Sequence, residues 1–288
     1  MKKIFYLILL FSTPIFAQEE LNFDKRFIDC EDRWVAVKQN SVNTYLYGYV
    51  FMEDGVGLNI SIEGTFSILN DGEFVPLKSV SGKRKIMKLE PDNQQVAVIP
   101  EEKYSELQIV EKPDWLGKYK VKITAQSLYR SAFVYNKWKS CYNALVFLKL
   151  AEQKKAKFKE FYSEIAYSYN CLGLFENAAE IAEKGRKRFP DDALLNRELI
   201  FAQAEAGFAD DAAKSCKKAF IKCTDNSYDG ENCYNVLRAY YRKIDVKNFA
   251  YWLILAKKYN KNNKSTMAFI SEMEEKMQKE DGAGDFFK

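Results

Sequence analysis

The stretch Lys159–Asp192, KEFYSEIAYSYNCLGLFENAAEIAEKGRKRFPDD, decides how the C-terminal half of the chain is built. It reads as two short amphipathic helices joined at Leu172-Gly173 and closed by Pro190. The pattern returns 34 residues later, where Gly207 answers Gly173 and Ala212 answers Ala178. A fixed period of this length marks a stacked array of repeats. One unit cannot bury its own apolar face, so such arrays are stable only when neighbours stack.

Working outward, the first residues, MKKIFYLILLFSTPIFAQEE, place two lysines ahead of an apolar run, Ile4–Phe16, followed by Ala17-Gln18. That order predicts a bacterial signal peptide over 1–17. The run has 13 residues, whereas a membrane span needs about 20. The first cysteine is Cys30, well past the expected cleavage point, which argues against a lipid anchor. The expectation is an exported bacterial protein, periplasmic or on the cell surface, with no stable membrane span after cleavage.

The 288 residues are 47% hydrophobic and 29% charged, enough for a packed core and by length for two domains. Losing Lys2 and Lys3 takes 44 basic residues to 42, against 40 acidic ones. A nucleic-acid partner is not expected from that balance. The chain has no histidine. This removes the commonest general base, the commonest metal ligand, and the Ser-His and Cys-His nucleophile pairs. No phosphate-binding glycine loop, G-x-S-x-G elbow or H-E-x-x-H motif is present. A non-catalytic protein without cofactor or metal is expected.

The six cysteines, Cys30, Cys141, Cys171, Cys216, Cys223 and Cys233, form no C-x-x-C pair. In an exported protein an even count permits disulfides. Cys223–Cys233 would close a short loop; buried free thiols at helical positions are the alternative.

Residues 18–120 carry the other signal. From Arg33 to Pro100, short runs rich in Val, Ile, Tyr and Phe alternate with period two: Trp34–Val37, Thr44–Met52, Leu58–Glu63, Thr65–Leu69, Phe74–Leu77, Lys85–Leu89 and Val96–Ile99. Asp54-Gly55, Asn70-Asp71-Gly72 and Ser81-Gly82 separate several of them. This predicts antiparallel hairpins in a small β-sandwich or barrel. Residues 100–120 read as a connector, with Trp115-Leu116 docking one module on the other. From Ala125 the period changes to 3.6, and an all-α helical array spans 121–264. Lys264–Lys279, with Ser265 as a candidate N-cap, reads as a capping helix within 265–288, and the last nine residues as a disordered tail.

The helical half resembles the tetratricopeptide repeat family. The residues that carry the likeness are Tyr162, Ile165, Ala166, Tyr169, Gly173, Phe175, Ala178, Ala182, Gly185 and Pro190. Thirty-four residues on stand Leu199, Gly207, Ala212, Cys216 and Ala219. Thirty-four residues back stand Leu128, Ala132, Tyr135, Ala144, Leu148 and Ala151, with Lys139 in place of the glycine. A fourth unit, slipped by four residues, can be placed at Tyr234, Leu237, Tyr241 and Ala250, with its turn at Ile244-Asp245-Val246.

The resemblance implies that the first helix of each unit lines a groove for a peptide or protein surface. One groove position would be held by Phe133, Tyr167 and Phe201, with Tyr129, Arg130, Lys137, Asn170 and Arg197 around them. Aromatics and arginine are the usual interface anchors; the alternative is that the rings fill the core between helices. Together these readings point to a protein-interaction scaffold of the cell envelope that holds its partner through the groove, the β-module or both; the alternative is a glycan- or ligand-binding accessory protein in which the β-module does the recognition.

Two further patterns offer other ligands. Tyr45, Tyr47 and Tyr49 alternate along one strand and could stack on a glycan, or pack across strands. Asp225, Ser227, Asp229 and Gly230 match four positions of a calcium loop, but Val236 stands where its glutamate belongs, which favours an ordinary loop.

Overall fold

The computed structural model describes residues 21–79, 84–119 and 123–280; the expected signal peptide and the last eight residues of the tail lie outside them. The chain divides into two compact units, one of Met1–Met52 with Leu58–Lys118, the other of Glu53–Gly57 with Tyr119–Lys288. An antiparallel β-unit is followed by a helical array, as the change of period from two to 3.6 requires.

In the first unit seven strands are described: β1 (Lys25–Arg26), β2 (Arg33–Lys38), β3 (Thr44–Glu53), β4 (Gly57–Ile68), β5 (Phe74–Ser79), β6 (Lys85–Lys88) and β7 (Gln95–Val98). They join in the order β1-β7-β2-β3-β4-β5, and β6 also pairs with β4. The β2–β3 register sets Arg33 opposite Val50 and Lys38 opposite Tyr45. The long β4 serves β6 through Asn59–Ile62 and β5 through Gly64–Ile68. Gly48 is required by packing: a Cβ there would sit 2.5 Å from the Ser61 carbonyl oxygen.

The tyrosine row is interior. Tyr49 and Tyr47 are buried, Tyr47 and Tyr49 lie against Trp34, and Tyr45 stacks on Phe23 at 5.6 Å. Tyr47 and Tyr49 are thereby withdrawn from any glycan, while Tyr45 stays half-buried; alternation on a strand covered on both faces produces the same pattern. Residues 100–118 belong to this unit. The Trp34 indole donates to the Val110 carbonyl at 2.8 Å, Glu106 accepts the Phe74 amide at 2.7 Å, and Trp115 meets Tyr49 and Phe51 edge-on.

The second unit contains α1 (Ala125–Lys137), α2 (Cys141–Gln153), α3 (Lys159–Cys171), α4 (Phe175–Arg186), α5 (Ala193–Glu205), α6 (Ala209–Lys222), α7 (Asp229–Arg242), α8 (Val246–Asn260) and α9 (Lys264–Glu280). Each helix packs on the next, and α1, α3, α5, α7 and α9 also pack on one another in series. Small residues sit where helices approach. Ala132, Ala144, Ala166, Ala178 and Ala212 are fully buried, and a Cβ on Gly185 would stand 2.6 Å from the Tyr162 Cβ.

The period is visible in the turns. Lys139, Gly173, Gly207 and Ile244 all have positive φ, between 53° and 84°. Each donates its amide to the carbonyl three residues back, and the following residue bonds five back, as in Leu174 to Tyr169. That pair of bonds is the Schellman closure of a helix C-terminus. The steps between these turns are 34, 34 and 37 residues, so the fourth unit slips by three residues instead of the expected four. The α7 burial pattern agrees: Asn232, Asn235, Val236, Leu237 and Ala239 repeat Leu195, Glu198, Leu199, Ile200 and Ala202 at a spacing of 37.

Caps are local. Thr124 and Ser127 form a capping box at α1, and Asp192 and Asp245 accept amides of α5 and α8. The α9 cap is Asn263, which accepts the Thr266 amide at 3.1 Å, in place of Ser265. Ser265 is already the second residue of that helix.

A disulfide joins Cys141, at the start of α2, to Cys171, at the end of α3. Cys30, Cys216, Cys223 and Cys233 are free thiols, so of the two alternatives the Cys223–Cys233 bridge is not formed. Cys223 instead accepts a hydrogen bond from Asn196 at 3.5 Å.

Candidate functional site

Residues of α1, α3 and α5 share one face of the array, and two adjoining cavities of about 250 Å³ each open along it. Lys139, Tyr167, Arg197 and Glu198 line both cavities. Phe133 lines the first, and Phe201, Asn170 and Glu231 the second. Phe133 is 47% exposed, and Tyr167 and Phe201 are half-buried. The Lys139 ammonium stands 5.0 Å from the Tyr167 ring centre and donates to its hydroxyl. Phe201 meets Phe175 edge-on at 6.0 Å. Tyr129 is half-buried between Phe158 at 5.2 Å and Phe133 at 6.5 Å, and is not among the lining residues of either cavity. In the fourth unit the row continues at Arg238, which pairs with Glu205, and Arg242 reaches the same carboxylate at 3.0 Å.

Beneath the rings lies a polar ladder that helical spacing alone does not reveal. Asn136 of α1 donates from Nδ2 to the Glu164 backbone carbonyl at 3.2 Å and to its carboxylate at 2.8 Å. Asn170 of α3 does the same to Glu198 of α5, at 3.0 and 2.8 Å. Partners are 28 residues apart, while both asparagines and both glutamates recur at 34. A polar residue repeating at the array's own period on an otherwise apolar helix face is the sequence signal that could have found them.

The two glutamates differ electrostatically. Burial pushes the Glu164 carboxyl up to about 7, against the opposing hydrogen bond from Asn136. Burial also raises Glu198, although Arg197 beside it pulls the other way. The Arg197 guanidinium pairs with Glu198, approaches Glu231 at 3.9 Å and lies 5.2 Å from the Tyr228 ring centre. Its charge is disfavoured by burial but held by Glu198 and Glu231, which keep its pKa above the ordinary value. The face therefore offers aromatic rings, fixed cations at Lys139 and Arg197, and carboxylates, two of which are already engaged by asparagine.

The calcium-loop pattern folds as a turn and a helix start. Asp225 accepts the Ser227 amide at 2.9 Å, and Asp229 and Gly230 are the first two residues of α7. Among the described residues no cluster of three or more Cys, Asp or Glu could hold a metal ion, and no helix is long and apolar enough to cross a membrane.

No protein-family model matches the chain, and no curated protein matches it in sequence. Among solved structures it is similar to a TPR repeats protein from Bacteroides fragilis NCTC 9343, at 15% identity and a TM-score of 0.29, over 60% of this chain and 88% of that one.

Proposed function

We propose that this chain is an exported, non-catalytic interaction protein whose helices form a tetratricopeptide-type array. The face of α1, α3 and α5 holds a protein partner or an extended peptide in the bacterial cell envelope. The observation that carries this reading is the row Phe133, Tyr167 and Phe201, one ring per unit, set along two adjoining cavities with Lys139 and Arg197 between the rings. Rings and arginine in partly desolvated pockets are the side chains that dominate interface energetics. Export is supported by the leader-like N-terminus and by the Cys141–Cys171 disulfide, which belongs to oxidising compartments.

The test uses a Phe133→Ala/Tyr167→Ala/Phe201→Ala variant. These rings are exposed or half-buried, so the variant should keep the wild-type helical circular dichroism. Envelope extracts passed over wild type and variant should yield a main partner that only wild type retains. Retention by the folded variant removes the groove from the account. Recovery of the chain from a periplasmic fraction with an N-terminus at Gln18 tests the compartment separately.

A further inference from the structure

The two ends of the Cys141–Cys171 bond are placed differently. Cys141, the first residue of α2, is buried at 3% exposure, whereas Cys171, the last residue of α3, is exposed. Cys171 also lines the second groove cavity, together with Lys139, Tyr167, Arg197 and Phe201; Cys141 lines neither cavity. Exchange begins when a thiolate reaches one sulfur of a disulfide, so access selects the sulfur that is attacked. Here that sulfur is Cys171 Sγ. Disulfides open to solvent are the exchangeable ones, in contrast to those sealed in a core.

We propose that Cys171 is a thiol-exchange site in the groove, where a low-molecular-weight thiol becomes covalently attached. A cavity of about 250 Å³ sets the size of that thiol. The incoming thiol gives its proton to solvent, and its thiolate attacks Cys171 Sγ. The new S–S bond forms as the Cys141–Cys171 bond breaks, and the electron pair of the broken bond leaves on Cys141. The incoming thiol is oxidised to a mixed disulfide and Cys141 is reduced, so the step needs no further oxidant or reductant.

The position of Cys141 suits a leaving group. It holds the first place in α2, where unpaired amides and the helix dipole favour a thiolate, and Lys139 stands two residues before it. Burial acts against that charge, so protonation from solvent follows departure. The attached group stands in the cavity with Tyr167 and Arg197 and takes space offered to a partner. That consequence rests on the groove reading; the exchange itself does not.

The full chain, folded and with its disulfide formed, is incubated with excess reduced glutathione in the absence of oxygen. Samples are taken over time into acid, alkylated with iodoacetamide in denaturant, and digested for mass spectrometry. The bond should open while the helical circular dichroism is unchanged, through a species with glutathione on Cys171 and an alkylated Cys141. Glutathione on Cys141, or a bond that stays closed until the helical signal is lost, overturns the proposal. Two single variants test the direction of attack whether or not that species accumulates. Cys141→Ala and Cys171→Ala each leave one thiol of the pair, and oxidised glutathione forms a mixed disulfide with whichever remains. At equal helical signal, Cys171 should be modified at least about tenfold faster than Cys141, because access governs the rate. Equal rates, or a faster reaction at Cys141, contradict the assignment.

Discussion

The interface between the first and second helical hairpins and the interface between the second and third use the same asparagine-to-glutamate bond, and they finish it differently. At the first, Ser168 donates to the Asn136 side-chain oxygen at 2.9 Å, so both the side-chain oxygen and nitrogen of that asparagine are engaged. At the second, Ala202 stands where Ser168 would recur, and the Asn170 side-chain oxygen is buried without a partner. The first interface adds the Cys141–Cys171 bond; Phe175 and Glu205 occupy the corresponding places one period on. At the second, the glutamate is instead paired on its own helix by Arg197. A repeat thus keeps the geometry of a contact while its chemistry is exchanged. Stability and electrostatics are divided between neighbours.

The largest expected effect concerns the covalent tie. Cys141–Cys171 spans a separation of 30 residues, worth about 3.5 kcal/mol on the loop-entropy model. A Cys141→Ala/Cys171→Ala variant should lose roughly that amount in denaturant unfolding. Hydrogen exchange should accelerate in α1 and α2 before α5 and α6. Uniform acceleration would mean that the two interfaces are not separate supports.

The next effect follows from Glu164. Its folded pKa of about 7 lies above the unfolded value of ~4.3. The folded state binds that proton more tightly, so the stabilisation is complete below about pH 4 and is lost as pH rises through 7. Glu164→Gln, which stays neutral, should match wild type near pH 4 and exceed it at pH 8 by about 3–4 kcal/mol in urea titrations. A pH-independent difference would show that Glu164 is not the titrating group.

A smaller pair of changes swaps the two interfaces. Ser168→Ala leaves the Asn136 oxygen unsatisfied and should cost about 1–2 kcal/mol. Ala202→Ser supplies the missing donor to Asn170 and should gain up to about 1 kcal/mol. If both substitutions destabilise, the serine is acting through packing. The smallest effect is in the turns. Ile244 holds φ at 53°, where a β-branched residue is strained and Gly173 and Gly207 are not. Ile244→Gly should raise stability by about 1 kcal/mol, read as a shift of the melting temperature.

The period and the small-residue contacts are legible in Lys159–Asp192 and the unit after it because Gly173, Gly207 and the alanines are the residues that tight turns and close helix approach demand. The first and fourth turns are harder to read, since Lys139 and Ile244 adopt the same backbone without glycine. Packing and the Schellman bonds override their intrinsic preference, which is why the fourth unit reads as slipped by four residues where the chain slips by three. In the β-unit, strand alternation reveals the elements. It does not separate a buried tyrosine row from an exposed one, because both faces of β3 are covered. The aromatic row at 34 follows from the period. Asn136, Glu164 and Glu198 recur at 34 as well, but that they bond one another is not written in the period, because the bonds join residues 28 apart on different helices. Cysteine spacing likewise carries no connectivity.

The most direct test of the groove places a benzoylphenylalanine photocrosslinker at Tyr167, between the two cavities, and in a second variant at Tyr142, 70% exposed on α2. Illumination of intact cells should give a discrete protein adduct from position 167, lost when Phe133 and Phe201 are replaced by alanine, and none from position 142. An adduct that survives those replacements, or one formed from position 142 alone, would contradict the account.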